Sequence, residues 1–257
     1  MNKISQYIFS TVLGLVVFFF WIILHPYDLS FQEQNQLFLF TWDYFLERIS
    51  VCGGLADYIA EFITQFNYIP YLGEALMALL FVIFQIVTAA SICRKEWYVL
   101  SFITPVMMLV YMNDIYVMLC YLIALIIAVS MCALYRRYPG VLWACIATVL
   151  GYWLIGPAIF VFTLFAVLRE RNWNSLILVA VAVLTLVVSK WTYLQQYPWK
   201  TLAFGVNYYR HALVVPPMQL VIAAAAVLVP AFSALLPKPK TYVNFALGLL
   251  IAAAGAF

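Results

Sequence analysis

Long apolar runs decide what this chain can become. Residues 5–24, 71–93, 97–112, 115–134, 140–155, 157–168, 174–190 and 217–236 are almost free of charge, and a ninth run, 242–257, reaches Phe257. Crossing a bilayer takes about 20 apolar residues in a helix, where every backbone N–H finds a carbonyl without help from water. The chain is 67% hydrophobic and 9% charged over its 257 residues, whereas soluble domains carry roughly 25% charge. The expected fold is all-α. It is a polytopic transmembrane bundle, one domain over 1–257, with about eight spans and a partial ninth.

Lys and Arg placement orients such a bundle. With the N-terminus inside, nine of the 13 basic residues fall on the inner side, including Lys3, Arg94, Arg136, Arg137 and Arg169, while eight of the ten acids fall outside. The expected location is a bacterial inner (cytoplasmic) membrane with a cytoplasmic N-terminus. The run 140–168 is interrupted by Gly156-Pro157, and proline bends or ends a helix. A single helix of that length would measure about 43 Å at 1.5 Å per residue, so a short hairpin is favoured over one kinked span. The apolar ending, without a polar stop, suggests a fragment of a longer protein.

Several chemistries find no support. No basic run points to nucleic acid. The five cysteines include no C-x-x-C pair, and two histidines are too few for a His-rich metal site. There is no P-loop, H-E-x-x-H or G-x-S-x-G. No cofactor is named by these residues.

Acids concentrate instead in an insert, 25–70, predicted to be extracytoplasmic. Ser30-Phe31-Gln32-Glu33 reads as a capping box opening an amphipathic helix over 31–49, broken by Gly53-Gly54 and followed by a second amphipathic piece. Asp43, Glu47, Asp57 and Glu61 are expected on the solvated faces of these interfacial helices. Asp28 and Glu33 lie just past the first span, where helix ends pack together, and are candidate functional carboxylates. Asp114, in the turn Asn113-Asp114 between two spans, is either a turn former or an acid facing a cavity near the membrane. The loop 190–216 carries Tyr208, Tyr209, Arg210 and His211. They serve as an aromatic belt with anchoring charges, or as a lipid-phosphate-binding cluster in which Arg donates bidentately.

An acid after the first span, a juxtamembrane amphipathic helix and a second acid between the third and fourth spans resemble the GT-C class of membrane glycosyltransferases over residues 1–135. That resemblance implies transfer from a polyprenyl-phosphate-linked sugar, with Asp28 as base or metal contact and Asp114 supporting it. The pattern departs from the class in having one acid at 114, where many members have two. The stretches Gln32-Glu33-Gln34-Asn35-Gln36-Leu37-Phe38-Leu39-Phe40-Thr41-Trp42-Asp43-Tyr44-Phe45 and Gly53-Gly54-Leu55-Ala56-Asp57-Tyr58 resemble an uncharacterised multi-pass membrane family common in Bacteroidota. That family is a domain of unknown function, with no established activity. The residues leave three readings open: a glycosyltransferase working on membrane lipid, a non-enzymatic scaffold or envelope-complex partner, and, last, a transporter or flippase.

Overall fold

The computed structural model describes residues 3–34, 36–92, 95–114, 116–170, 173–205, 217–235, 247–248 and 251. Among them there is helix and turn but no strand. By length and composition, five helical stretches suffice to cross a membrane, Ser5–Leu24, Leu72–Ser91, Leu119–Arg137, Val141–Arg169 and Trp173–Thr192, although Val141–Arg169 folds back on itself. Shorter apolar helices lie at Glu96–Tyr111 and Pro217–Ser233. The chain divides into two compact units. The first comprises Met1–Phe38, Ala60–Leu119 and Leu228–Phe257, and the second Leu39–Ile59 and Cys120–Val227.

In the first unit, helix α1 (Lys3–Phe19) packs along α5 (Leu72–Ser91). Gly14 permits the close approach, since a Cβ there would lie 3.0 Å from Val82, and small residues let membrane helices pack tightly. α6 (Ile103–Tyr111) follows a 3-10 stretch, Lys95–Phe102. A polar network runs through this interior. Ser10 Oγ donates to Gln85 Oε1 at 2.8 Å, the hydroxyls of Ser10 and Tyr98 lie 2.9 Å apart, and Gln85 Nε2 donates to Ser101 Oγ at 2.7 Å. One turn along, Thr88 meets Thr104 at 3.3 Å. Gln85, Thr88, Ser101 and Thr104 are fully buried. Apolar burial gives helices in lipid little reason to associate, so packing and interhelical hydrogen bonds of this kind hold them together.

The second unit contains α7 (Leu119–Arg137 as a helix, its body from Cys120 onward in this unit), α8 (Val141–Ile155), α9 (Ile159–Arg169) and α10 (Trp173–Thr192). The run from 141 to 169 is a hairpin. The hydroxyls of Thr148 and Thr163 are 2.9 Å apart, and Trp143 stacks on Phe162 with ring centroids 5.5 Å apart; a straight helix would separate residues 15 apart by about 22 Å. Gly156, at φ 70°, makes the reversal that a side chain would resist.

The insert differs from expectation. α2 (Asp28–Gln34) begins two residues before Ser30, so Ser30 lies inside its first turn and the capping box does not form. Residues 36–41 are not helical, and α3 (Trp42–Ile49) starts anew with Thr41 as its cap, Oγ1 accepting from the Tyr44 amide at 3.3 Å. Apolar periodicity suggested one helix over 31–49, but a local hydroxyl cap restarts the helix at Trp42. α4 (Gly54–Thr64) is amphipathic, but its acids do not lie on a solvated face as expected. Ala56, Asp57, Ala60, Glu61 and Thr64 are buried, with Asp57 5% and Glu61 3% exposed, while Phe62 is exposed. The helix thus buries its small and polar stripe and leaves larger apolar side chains outward. Asp43 and Glu47 are exposed, as expected of solvated positions.

In the second unit, the turn after α3 is fixed on the hairpin tip. The Gly53 amide donates to the Trp153 carbonyl at 2.7 Å, the Cys52 thiol to the Tyr152 carbonyl at 3.0 Å, and Trp153 Nε1 to the Ile49 carbonyl at 2.9 Å. A Cβ on Gly54 would overlap the Arg48 carbonyl, so the pair Gly53-Gly54 is required by this contact as well as by the φ of 85° at Gly53. Burial pushes the Cys52 thiol well above its ordinary range, and the nearby Asp57 carboxylate adds to the rise. Cys52 is thus a neutral, inert thiol.

Candidate functional site

The site forms where the first span ends, in the first unit. α1 passes into a π-helical turn, Phe20–Leu24. Such turns widen the backbone spiral and occur often at functional sites. The turn buries Trp21 completely. Trp21 lies edge-on to Phe20, with centroids 5.4 Å apart, and to His25 at 5.7 Å, while Phe20 and His25 lie 4.7 Å apart. Next, His25 Nδ1–H donates to Asp28 Oδ2 at 2.6 Å, the two side chains being 19% and 21% exposed. The Asp28 amide also donates to the His25 carbonyl at 3.3 Å, closing the turn into α2. The carboxylate is therefore held in one orientation by an imidazole yet stays open to solvent.

α2 is docked on the segment that follows Asp114. Gln32, buried, donates from Nε2 to the Val117 carbonyl at 3.0 Å, and Phe31 meets Tyr116 edge-on at 6.4 Å. From the other direction, Asn67 Nδ2 donates to the Leu29 carbonyl at 3.2 Å and Gln65 Nε2 to the Gln36 carbonyl at 2.6 Å. Asp28 and Asp114 thus lie at the same end of this unit. The Asp114 carboxylate accepts the Tyr116 amide at 3.0 Å and is exposed, an Asx turn that any turn-forming Asp makes. Glu33 is half-buried, with no side-chain bond that joins it to the His25–Asp28 pair. Tyr208, Tyr209, Arg210 and His211 lie outside the described residues.

Sequence reasoning passed over His25 and Trp21. The signal for His25 was its i, i+3 spacing to Asp28 across Pro26. Trp21 gave no signal, since an indole in an apolar run reads as core. Its Nε1–H is buried with no acceptor among the described residues, although buried indoles usually find one. Arg48 is buried in the second unit, where Nε and Nη2 donate to Tyr44 Oη at 3.0 and 2.6 Å. Among the described residues no group of three His, Cys, Asp or Glu side chains could hold a metal ion.

Long apolar helices, an apolar hairpin and buried polar stripes define the class: an all-α protein with helices long and apolar enough to cross a membrane. Within that class, the chain belongs to the family of unknown function DUF6057, whose model matches residues 1–251. No curated protein and no solved structure matches it.

Proposed function

We propose that this protein is a GT-C-like glycosyltransferase that takes a sugar from a polyprenyl-phosphate carrier on the outer face of a bacterial cytoplasmic membrane. The reading rests on one observation: a carboxylate at the exit of the first span, clamped 2.6 Å from an imidazole, on a helix docked against the loop of the second acid. In the reaction the bond between the anomeric carbon and the phosphate oxygen breaks, and its electron pair leaves with the lipid phosphate. The acceptor oxygen bonds to that carbon, and its proton passes to the free oxygen of Asp28. His25 keeps the carboxylate aimed, which general-base catalysis requires. Asp114 supports the turn on which α2 rests, a positioning role. On the sequence alone, Arg210, with Tyr208, Tyr209 and His211, is the candidate for offsetting charge on a leaving phosphate; these residues lie outside the described ones. Arg136, Arg137 and Arg169, gathered at one end of the second unit, favour that end as cytoplasmic.

The test is transfer of radiolabelled sugar from a panel of polyprenyl-phosphate donors in membranes from cells that do or do not express the protein. Transfer that requires the protein and Asp28 supports the reading. Equal transfer by wild type and Asp28→Asn would remove Asp28 as the base, and equal transfer with and without the protein would leave the scaffold reading in its place.

A further inference from the structure

The second unit carries, at the end opposite its hairpin tip, two cations whose surroundings fit a lipid headgroup. Arg137 ends α7 and Arg169 ends α9. Arg169 Nη2 donates to the Arg136 carbonyl at 3.3 Å, so the guanidinium lies against the last turn of α7. Arg137 rests over the Tyr138 ring, 5.5 Å from its centroid. Both arginines are exposed, and among the described residues neither has a carboxylate within ion-pair distance. The acid beside them is committed elsewhere: Glu170 Oε1 accepts from the Tyr135 hydroxyl at 2.6 Å. Tyr138 is itself tied down, its carbonyl accepting Trp143 Nε1–H at 2.9 Å. Two cations are thus positioned by bonds to backbone and ring while the adjacent acid is turned inward.

Next to these charges the surface is apolar. Leu134, Leu142, Leu164 and Leu168, from α7, α8 and α9, are all exposed. Leu134 lies three residues before Arg137 on α7 and Leu168 immediately before Arg169 on α9, so exposed apolar side chains flank both cations in the chain. Two helix C-termini meet here, and capping their dipoles satisfies part of the cationic charge. A dipole end is a fraction of a unit charge, however, and the three guanidinium charges of Arg136, Arg137 and Arg169 exceed the one charge of Glu170 by more than that. Basic positions between membrane helices on the cytoplasmic side bind anionic headgroups, and a guanidinium fork suits phosphate.

We propose that Arg137 and Arg169 together bind the phosphate of an anionic phospholipid, with Tyr138 walling the headgroup and the exposed leucines taking its chains. The proposal is independent of the transfer reaction, since it concerns the other unit and a structural lipid.

The experiment uses the whole chain purified in detergent, with native mass spectrometry after titration of phosphatidylglycerol or phosphatidylcholine of equal chain length. Wild type is expected to retain phosphatidylglycerol at least fivefold more strongly than phosphatidylcholine. Arg137→Gln/Arg169→Gln is expected to lose that preference, while Lys190→Gln/Lys200→Gln, which removes the same charge elsewhere, keeps it. A preference unchanged in the arginine double variant, or absent from wild type, would overturn the proposal. Inorganic phosphate at millimolar concentration separates headgroup from lipid: competition by phosphate alone, at concentrations that displace phosphatidylglycerol, would reduce the site to a simple anion site and would also overturn it. Fluorescence-detected size exclusion confirms that the variants are folded before each titration.

Discussion

Two polar clusters of the first unit are built to opposite rules. In its interior, Ser10, Gln85, Tyr98 and Ser101 bond to one another. At the exit turn, a buried indole N–H has no acceptor among the described residues, one turn from a carboxylate and imidazole that are bonded to each other but open to solvent. Polar groups in lipid are costly unless satisfied. A satisfied set is glue that fixes helix register, whereas an unsatisfied or exposed set persists where it serves something other than packing. The difference separates a residue's contribution to stability from its contribution to chemistry, and substitution at each place should reveal which it is.

Asp28 carries the largest expected effect. Asp28→Asn keeps the shape and removes the proton acceptor, and loss of a positioned base costs about 10²–10⁴ in rate. Sugar transfer in membranes should fall by that range while the thermal midpoint in detergent stays close to wild type. A large fall in both would place Asp28 with the glue.

Gln85 makes the reciprocal case. Gln85→Leu removes a side chain bonded to both Ser10 and Ser101 and leaves those hydroxyls without it. A buried partner left unsatisfied costs about 1–3 kcal/mol, though membrane hydrogen bonds average nearer 0.6 kcal/mol. Unfolding by denaturing detergent should show a loss of about 1–2 kcal/mol, with transfer per folded molecule unchanged. A selective loss of transfer would instead give this interior a functional part.

The two regions also differ in how far they could be read from the residues alone. Spans are legible because lipid imposes one length and one polarity on every crossing, so the runs at 71–93 and 174–190 match Leu72–Ser91 and Trp173–Thr192 within about two residues. Gly156-Pro157 announced the hairpin by the same logic. Interior hydrogen bonding was not legible: a Gln and a few Ser and Thr leave hydropathy almost unchanged, and their pairing depends on how α1, α5 and α6 meet. The insert misled for a physical reason. The spacing of its apolar residues gave the period of α4 correctly, but reading it as an interfacial helix put Asp57 and Glu61 on the water side, and both are buried. At the site, Asp28 stood out as an acid beside a span, whereas Trp21 required coordinates, since only an orphaned N–H distinguishes it from any core indole.

Asp114 tests the support on which the exit turn rests. Asp114→Ala removes the acceptor of the Tyr116 amide, an exposed local bond worth about 0.5–1.5 kcal/mol. If Asp114 only shapes the turn, Asp114→Asn, which can still accept, should restore transfer to near wild type, and Asp114→Ala should lower it by a few-fold. Equal loss in both, at undisturbed stability, would make the charge itself part of the chemistry. Purified variants assayed side by side decide between these outcomes.

Trp21 is expected to show the smallest effect on stability and so to sharpen the contrast most. Trp21→Phe deletes a buried donor that no described residue accepts, relieving a desolvation penalty of about 1–3 kcal/mol. The smaller ring also leaves space beside Phe20 and His25, and core truncations that open space cost of the same order. The two terms oppose, and the net change in unfolding free energy should lie within about 1 kcal/mol of zero. Gln85→Leu has no such relief, because its bonds are made. A Trp21→Phe protein as unstable as Gln85→Leu would mean that the indole N–H is satisfied in the membrane, and the exit turn would then obey the same rule as the interior.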